Sequence, residues 1–230
     1  MSGLIVFDCD GTLVDSQHAI IAAVRHAFDQ YRLPLPGDEA IRRIVGLSVP
    51  DALERLAGPA CDVSLESLSD SFRAAFLDLR RQGDHQFEPL FPGIRECLAA
   101  LERHGFVLGV ATGKSDRGLA ATLAHHGIAD SFVSTHTADR HPSKPHPSML
   151  EAVMTDVGVS PAETVVIGDT SYDILMARHA SARSLGVGWG YHPAQELLDA
   201  GAANVAADAG GLVGLVQDLY REVHDDEQSD

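Results

Sequence analysis

Short apolar runs rich in β-forming residues recur along the chain, separated by segments with helical periodicity. The first run, Leu4–Phe7, is apolar at every position, which predicts a buried parallel strand. Five further runs predict strands at residues 106–111, 132–134, 164–167, 183–187 and, weakly, 204–206. Strands that alternate with helices in this way indicate a parallel sheet covered by helices on both faces.

The segment between the first two predicted strands has a different pattern, because no convincing strand interrupts it. Its helical stretches lie at residues 16–31, 38–45, 49–56 and 65–81. The predicted fold class is therefore α/β, with a Rossmann-like parallel sheet core and an inserted all-helical cap of about four helices. We expect the core to comprise residues 1–15 and 85–230, and the cap residues 16–84.

Polar residues that could take part in catalysis or ligand binding follow four of the predicted strands. They are Asp8 and Asp10 after the first strand, Thr112 after the second, Lys144 in the loop after the third and Asp169 after the fourth. Active sites in open parallel sheets lie at the carboxyl ends of the strands, so these side chains are expected to converge on one edge.

The pair Asp8 and Asp10 allows a division of labour. Residues two apart in an extended segment face the same side, so both carboxylates point to the same place and repel each other. Either a cation holds them together or one is protonated. One carboxylate can then act as a nucleophile and the other as a general acid and base. Gly11 permits close approach of the backbone, and its neighbouring amides can cradle an anion.

Asp169 supplies a third carboxylate to this edge. Hard oxygen ligands of this kind suit Mg²⁺, which also bridges to substrate phosphate. Asp173, four residues on, could orient a metal-bound water or the ammonium of Lys144. The hydroxyl of Thr112 and the charge of Lys144 suit a phosphoryl group that gains charge as it is transferred.

Composition narrows the classes of function. The formal net charge of −16 over 230 residues argues against nucleic acid and against anionic membranes as partners. Three cysteines, none in a CxxC pair, suggest no disulfide framework, and no apolar run approaches membrane-spanning length. We expect a cytoplasmic protein whose partner is a small phosphorylated metabolite, as a monomer or a homodimer.

Four motifs together resemble those of the haloacid dehalogenase superfamily, in family order and across nearly the whole chain. They lie at residues 8–16 (DCDGTLVDS), 111–114 (ATGK), 143–147 (SKPHP) and 168–173 (GDTSYD). The most similar branch is that of the phosphoglycolate-phosphatase-like hydrolases, which carry a helical cap after the first motif.

The resemblance implies a role for each matched residue. Asp8 would form an aspartyl-phosphate and bind Mg²⁺, and Asp10 would protonate the leaving group, activate water and offer its backbone carbonyl to the metal. Asp169 would be a metal ligand, while Thr12 and Asp173 would orient the site residues without contacting the metal. The phosphate would be held by Gly11, Thr112, Gly113 and Lys144.

The resemblance also implies a phosphatase acting on a small phosphomonoester, with 2-phosphoglycolate as the leading substrate. A pyrophosphatase, sugar phosphatase, nucleotidase or phosphomutase on the same machinery stays open, and so does a non-catalytic binding protein of this fold. Asp10 argues against haloacid dehalogenation, and the absence of lysine from residues 16–84 excludes a Schiff-base phosphonate hydrolase. Gly113 and Ser181 depart from the residues common in close relatives, Asn and Gly respectively.

Other residues of possible interest have ordinary structural interpretations. Lys114 is expected to be exposed or peripheral, and Cys9 a small core residue. Arg42 and Arg43 could meet a second anionic group of the substrate, although a solvated helix face explains them as well. For the segment 189–192, which reads WGYH, packing is the favoured interpretation.

Overall fold

Residues 3–82 and 88–227 are described in the computed structural model. Six parallel strands form one sheet in the order β3-β2-β1-β4-β5-β6. In chain order they are β1 Leu4–Phe7, β2 Val107–Thr112, β3 Ser134–Thr137, β4 Thr164–Gly168, β5 Arg183–Val187 and β6 Val205–Ala206. The strand order reverses between β1 and β4, and a crevice forms at the carboxyl ends of two such strands. The chain thus places the segments after β1 and β4 side by side.

Helices cover both faces of the sheet. After the first strand and the cap, the core helices are α5 Ile94–Arg103, α6 Asp116–His125, α7 Ser148–Val157, α8 Ser171–His179, α9 Ala194–Ala200 and α10 Ala209–Glu227. Alternate residues of β1 serve opposite faces: Ile5 and Phe7 belong to one apolar cluster, Leu4 and Val6 to another. This double burial explains why the central strands are apolar without alternation.

Within residues 3–82, the cap comprises four helices that follow β1. They are α1 Gln17–Gln30, α2 Asp38–Arg42, α3 Val49–Ala57 and α4 Leu65–Gln82. Their apolar faces enclose a separate cluster that includes Val24, Phe28 and Leu53. The predicted fold class, a parallel α/β core with an inserted helical cap, is confirmed. The division of the chain at residues 16 and 85 stays a prediction, and the second boundary lies outside the described residues.

The prediction of the third strand at residues 132–134 was wrong, because β3 begins where that range ends. Phe132 instead follows a 3₁₀ turn, Ala129–Ser131, and packs its ring edge-on against Phe7 at 6.3 Å between centroids. The apolar signal therefore came from core packing. The strand itself reads STHT and lies at the edge of the sheet, where polar residues are tolerated.

Ser181 has a left-handed backbone conformation, with φ of 58°. A side chain costs about 1 kcal/mol there relative to Gly. The residue precedes β5 and so lies at the amino-terminal edge of the sheet, opposite the predicted site. Its departure from the family pattern therefore concerns stability and not the substrate. Among the described residues, no helix is both long enough and apolar enough to cross a bilayer.

Candidate active site

One group of charged residues surrounds the carboxyl end of β1. The ammonium of Lys144 donates to Asp8 Oδ1 at 2.7 Å and to Asp173 Oδ1 at 2.6 Å, and all three side chains are buried. Asp8 continues β1, Asp173 lies in the first turn of α8, and Lys144 comes from the loop after β3. Lys144 thus holds one carboxylate oxygen of Asp8 in place, and Asp173, from another segment of the core, holds Lys144. We call this set, together with Asp169, the Lys144 group.

The other oxygen of Asp8 is free. Among the described residues, Asp8 Oδ2 is buried and has no hydrogen-bond partner. Carboxylate oxygens of Asp8, Asp169 and Asp173 lie within 4.8 Å of one another. Because three buried carboxylates face a single ammonium, the set has an excess of negative charge that a cation would neutralise.

The two remaining acids of the group differ in how fully they are bound. Both oxygens of Asp173 have hydrogen-bond partners. One accepts from Lys144, and the other accepts from the backbone N–H and the hydroxyl of Thr170 at 3.1 and 2.7 Å. Each oxygen of Asp169 accepts one bond, from the hydroxyl of Thr12 at 2.9 Å and from the N–H of Tyr191 at 2.9 Å. Asp169 therefore keeps lone pairs for a metal, whereas Asp173 is arranged to hold Lys144.

Burial dominates the ionisation of these groups. It raises the pKa of Asp8 to about 7, although the neighbouring ammonium of Lys144 lowers it. Burial also raises the pKa of Asp169 well above its usual value, and the charges of Asp173 and Asp8 add to the effect. For Lys144, burial lowers the pKa, but Asp173 and Asp8 outweigh it and leave the pKa above the ordinary lysine value. The ammonium thus stays charged.

Two glycines let the backbone approach Asp169 closely. Gly11 has a φ of 85°, and a Cβ on it would collide with the carboxylate of Asp169. A Cβ on Gly190 would collide with the same side chain. Gly11 is therefore required both by its left-handed conformation and by the space that Asp169 occupies.

A second charged group surrounds Asp10, and the prediction that Lys114 is exposed or peripheral was wrong. Lys114 is buried, and its ammonium lies 2.8 Å from Asp10 Oδ1 and 2.6 Å from Glu88 Oε1. The hydroxyl of Ser16 also donates to Asp10. Two carboxylates overcome the cost of burying the lysine and raise its pKa above the ordinary value.

This second group reaches the cap. The guanidinium of Arg80, on α4, pairs with Glu88 and donates to Thr122 Oγ1 at 2.7 Å. Burial raises the pKa of Glu88, but Lys114 and Arg80 outweigh it and hold that pKa below the usual value. Two cations thus balance the charges of Asp10 and Glu88. We call Asp10, Glu88, Lys114 and Arg80 the Lys114 group.

The segment after β2 lies beneath the cap. Thr112 ends the strand, is buried, and its hydroxyl accepts from the N–H of Lys114 at 3.3 Å. A Cβ on Gly113 would collide with the backbone carbonyl of Leu47 in the loop between α2 and α3. The absence of a side chain at Gly113 therefore allows the cap backbone to pack directly on this segment.

A family model for the haloacid dehalogenase-like hydrolases matches residues 5–187, most of the chain. The chain belongs to this family. The resemblance inferred from the four motifs is therefore confirmed.

Curated relatives of this haloacid dehalogenase-like hydrolase match it over nearly its whole length. A probable phosphatase, IndB, of Dickeya dadantii is 35% identical and is covered over 96% of both chains. A phosphoglycolate phosphatase of Vibrio vulnificus is 33% identical, with 90% of this chain and 92% of that one covered. Among solved structures, a hydrolase from Pseudomonas syringae has a TM-score of 0.83 at 28% identity, covering 95% of this chain and 99% of that one.

In this hydrolase the segment 189–192 does more than pack, which corrects the sequence interpretation. Besides binding Asp169, Tyr191 accepts from the backbone N–H of Ser16 at 3.1 Å through its phenol oxygen. Trp189 Nε1 donates to the carbonyl of Thr12 at 3.1 Å. Its position after β5, at the carboxyl edge of the sheet, was the signal that could have indicated this role.

The two arginines of the cap have other partners than a substrate anion. Arg42 donates to Gln17 Oε1 at 2.9 Å, and Arg43 pairs with Glu196 on α9. That contact raises the pKa of Arg43. Cys9, by contrast, is a buried core residue as expected, and burial raises the pKa of its thiol well above the usual value.

Proposed function

We propose that this hydrolase is a Mg²⁺-dependent phosphatase that removes the phosphoryl group of a small phosphomonoester through an aspartyl-phosphate on Asp8. The observation that carries the proposal is the state of that side chain. One oxygen is fixed by Lys144 and the other is buried without a partner among the described residues. A carboxylate held in this way is oriented for nucleophilic attack.

In the first step, Asp8 attacks phosphorus and the bond to the leaving oxygen breaks. Asp10 gives its proton to that oxygen, so the alcohol departs neutral. The backbone at Gly11 and Gly113, the hydroxyl of Thr112 and the ammonium of Lys144 hold the phosphoryl oxygens.

In the second step, Asp10 takes a proton from water, which attacks the phosphorus of the aspartyl-phosphate. The bond to Asp8 breaks, phosphate leaves, and Asp10 is again protonated for the next cycle. Asp8, the backbone carbonyl of Asp10 and Asp169 are the ligands that would hold Mg²⁺, whose charge offsets that of the phosphoryl group. Thr12 and Tyr191 orient Asp169, and Asp173 keeps Lys144 in place.

Names of relatives make 2-phosphoglycolate the first substrate to assay, since the relative from Vibrio vulnificus is a phosphoglycolate phosphatase. A hydrolase of similar identity is named only a probable phosphatase. The reaction class is therefore tested best with an activated aryl phosphate, which makes few demands on the leaving-group pocket.

The decisive variant is Asp8→Asn, assayed for phosphate release from an aryl phosphate with Mg²⁺. Loss of the nucleophile is expected to lower kcat by about 10⁴-fold or more. Asp130→Asn, an exposed change away from the site, is the matched control and is expected to keep full activity. Turnover in Asp8→Asn equal to that of the unaltered protein would overturn the proposal.

A further inference from the structure

A large cavity opens between the cap and the core, beside Asp10. Its volume is about 630 Å³. Its core side is lined by Asp10, Gly113 and Lys114, by the start of α6 and by the loop after β3, and its cap side by residues of α1, α3, α4 and the loop before α3. The acid expected to protonate the leaving group therefore borders this space, so the organic part of the substrate has to lie in it.

The cap side of the cavity is mainly apolar, although a few polar residues such as Asp51 also line it. Three helices contribute its walls, with aliphatic and aromatic side chains at Val24, Leu53, Phe72, Phe76 and Leu77. The rings of Phe72 and Phe76 stack at 5.9 Å between centroids. Such side chains bind an apolar group by removing it from water, whereas the hydroxyl groups of a sugar would lose hydrogen bonds to water against them.

The volume exceeds what a two-carbon acid needs. Pockets of about 300–1,000 Å³ enclose ligands of drug size. The organic part of 2-phosphoglycolate would leave most of such a cavity to water, in contact with apolar walls. A larger apolar group would displace that water and gain free energy.

The deep cations of the cavity already have anionic partners. Lys114 is paired with Asp10 and Glu88, and Arg80 with Glu88. Arg73 and Arg117 also line the cavity, but both are exposed residues at its solvent side. A carboxylate on the leaving group would thus lose its water against the apolar cap without a deep cation in compensation.

We propose that the preferred substrate is the phosphomonoester of an apolar alcohol larger than glycolate, whose aliphatic or aromatic part is seated against the cap. This inference rests on the proposed phosphatase function and adds the chemical class of the leaving group. The phosphoryl group lies at Asp8, the ester oxygen at Asp10 and the apolar part against Phe76 and Leu77.

The test compares primary alkyl phosphates, because their leaving alcohols have similar acidity. Values of kcat/KM are measured for ethyl, hexyl and 2-phenylethyl phosphate and for 2-phosphoglycolate. Each methylene buried in the cavity is expected to raise kcat/KM about fourfold, so hexyl phosphate should exceed ethyl phosphate on the order of a hundredfold. Both larger esters should also exceed 2-phosphoglycolate.

The outcomes separate the two levels of the proposal. Efficient release of phosphate from 2-phosphoglycolate, with no increase in kcat/KM from ethyl to hexyl phosphate, would overturn the proposal of an apolar leaving group. It would leave the proposed phosphatase function standing. No release from any ester, nor from an activated aryl phosphate, would overturn the phosphatase function and this inference with it.

Two neighbouring leucines of α4 provide a matched pair of variants. Leu77 lines the cavity, whereas Leu79 is partly buried but is not part of the lining. Leu77→Ala is expected to lower the ratio of kcat/KM for hexyl over ethyl phosphate by several-fold, and Leu79→Ala to keep that ratio. Equal ratios in the two variants, with both shown to be folded by thermal melting, would place the apolar group elsewhere and overturn the proposal.

Discussion

Two buried lysines hold the two aspartates of the first motif, and they do so in different surroundings. Lys144 bridges Asp8 and Asp173, which both belong to the core. Lys114 bridges Asp10 and Glu88, and Glu88 is tied to Arg80 on the cap helix α4. The proposed nucleophile is therefore held entirely within the core, whereas the proposed acid is linked through Lys114 and Glu88 to the cap.

The two groups also differ in their balance of charge. In the Lys144 group, three carboxylates share one ammonium, and one carboxylate oxygen has no partner among the described residues. In the Lys114 group, two carboxylates meet two cations. Only the first has a deficit of positive charge, so a divalent cation is expected there and not at Asp10 and Glu88.

Among variants of the two lysines and their partners, the largest effect is expected from Lys144→Met. Removing the ammonium leaves Asp8 and Asp173 buried without it, which should lower the free energy of unfolding by about 3–5 kcal/mol. Phosphate release should fall about 10³-fold, since a group that holds the phosphoryl oxygens is lost. Chemical denaturation and steady-state kinetics measure the two effects.

The double variant Lys144→Met/Asp173→Asn separates stability from activity. Removing the second charge should restore part of the unfolding free energy, because one unpaired carboxylate is gone. Activity should stay low. Recovery of activity together with stability would show that Lys144 has only a structural role.

A smaller effect, about 10²-fold in kcat, is expected for Lys114→Met, because Lys114 pairs with the proposed acid and is not among the groups proposed to hold the phosphate. The loss should be greater for ethyl phosphate than for 4-nitrophenyl phosphate, whose leaving group departs without a proton. Kinetics with both esters provide the measurement. Equal losses for the two would contradict a role for Lys114 in orienting Asp10.

Magnesium should distinguish the two groups by thermal stability. At a concentration of about 100 times its Kd, Mg²⁺ is expected to add about 2.7 kcal/mol to the free energy of unfolding. Asp169→Asn should abolish this gain, and Glu88→Gln should retain it. If the stabilisation by Mg²⁺ survives in Asp169→Asn but is lost in Glu88→Gln, the cation binds in the Lys114 group, which would contradict its assignment to the Lys144 group.

The increase in unfolding free energy caused by Mg²⁺ should depend on pH. Burial raises the pKa of Asp8 to about 7 in the metal-free protein, so the ionised form that binds a cation predominates only above that pH. Stabilisation by Mg²⁺ should therefore be greater near pH 8 than near pH 6. Melting curves with and without Mg²⁺ at the two pH values measure it, and a larger gain at the lower pH would contradict the assignment.

The smallest effect is expected for Arg80→Ala, a loss of about 1 kcal/mol in unfolding free energy. Arg80 is 22% exposed in its side chain, so solvent weakens its pair with Glu88, which keeps Lys114 as a partner. Arg81→Ala is the matched control, since its side chain is 71% exposed and pairs with Asp78 on the same helix. Denaturation curves should show almost no change for the control. Equal losses of unfolding free energy in the two variants would show that the pair of Arg80 with Glu88 does not stabilise the protein.

The contrast between the lysines also shows how far sequence reasoning reaches. Both lysines lie in matched motifs after strands of the sheet, but the resemblance implied a role only for Lys144. Lys114 could not be placed, because its burial depends on Glu88, which lies beyond the cap and has no motif of its own. The role of Tyr191 likewise depends on a contact across 22 residues with Asp169.

Local sequence patterns predicted the central strands, which are apolar on both faces, but misplaced a strand at the edge of the sheet. β1 and β4 were recognised because every residue is buried. β3 was misplaced because its polar residues carry no periodic signal, whereas the neighbouring Phe132 is apolar for packing. The size of the cavity could not be predicted either, since it depends on how three cap helices pack over the core.

Asp8 is the residue proposed to accept the phosphoryl group, and every other proposed role depends on this one. A crystal structure of the protein with Mg²⁺ and beryllofluoride, a mimic of the attached phosphoryl group, tests this directly. Beryllium is expected on Asp8 Oδ2, the oxygen that Lys144 does not bind. Beryllofluoride attached to Asp10, or to any other side chain in place of Asp8, would contradict the assignment of the nucleophile.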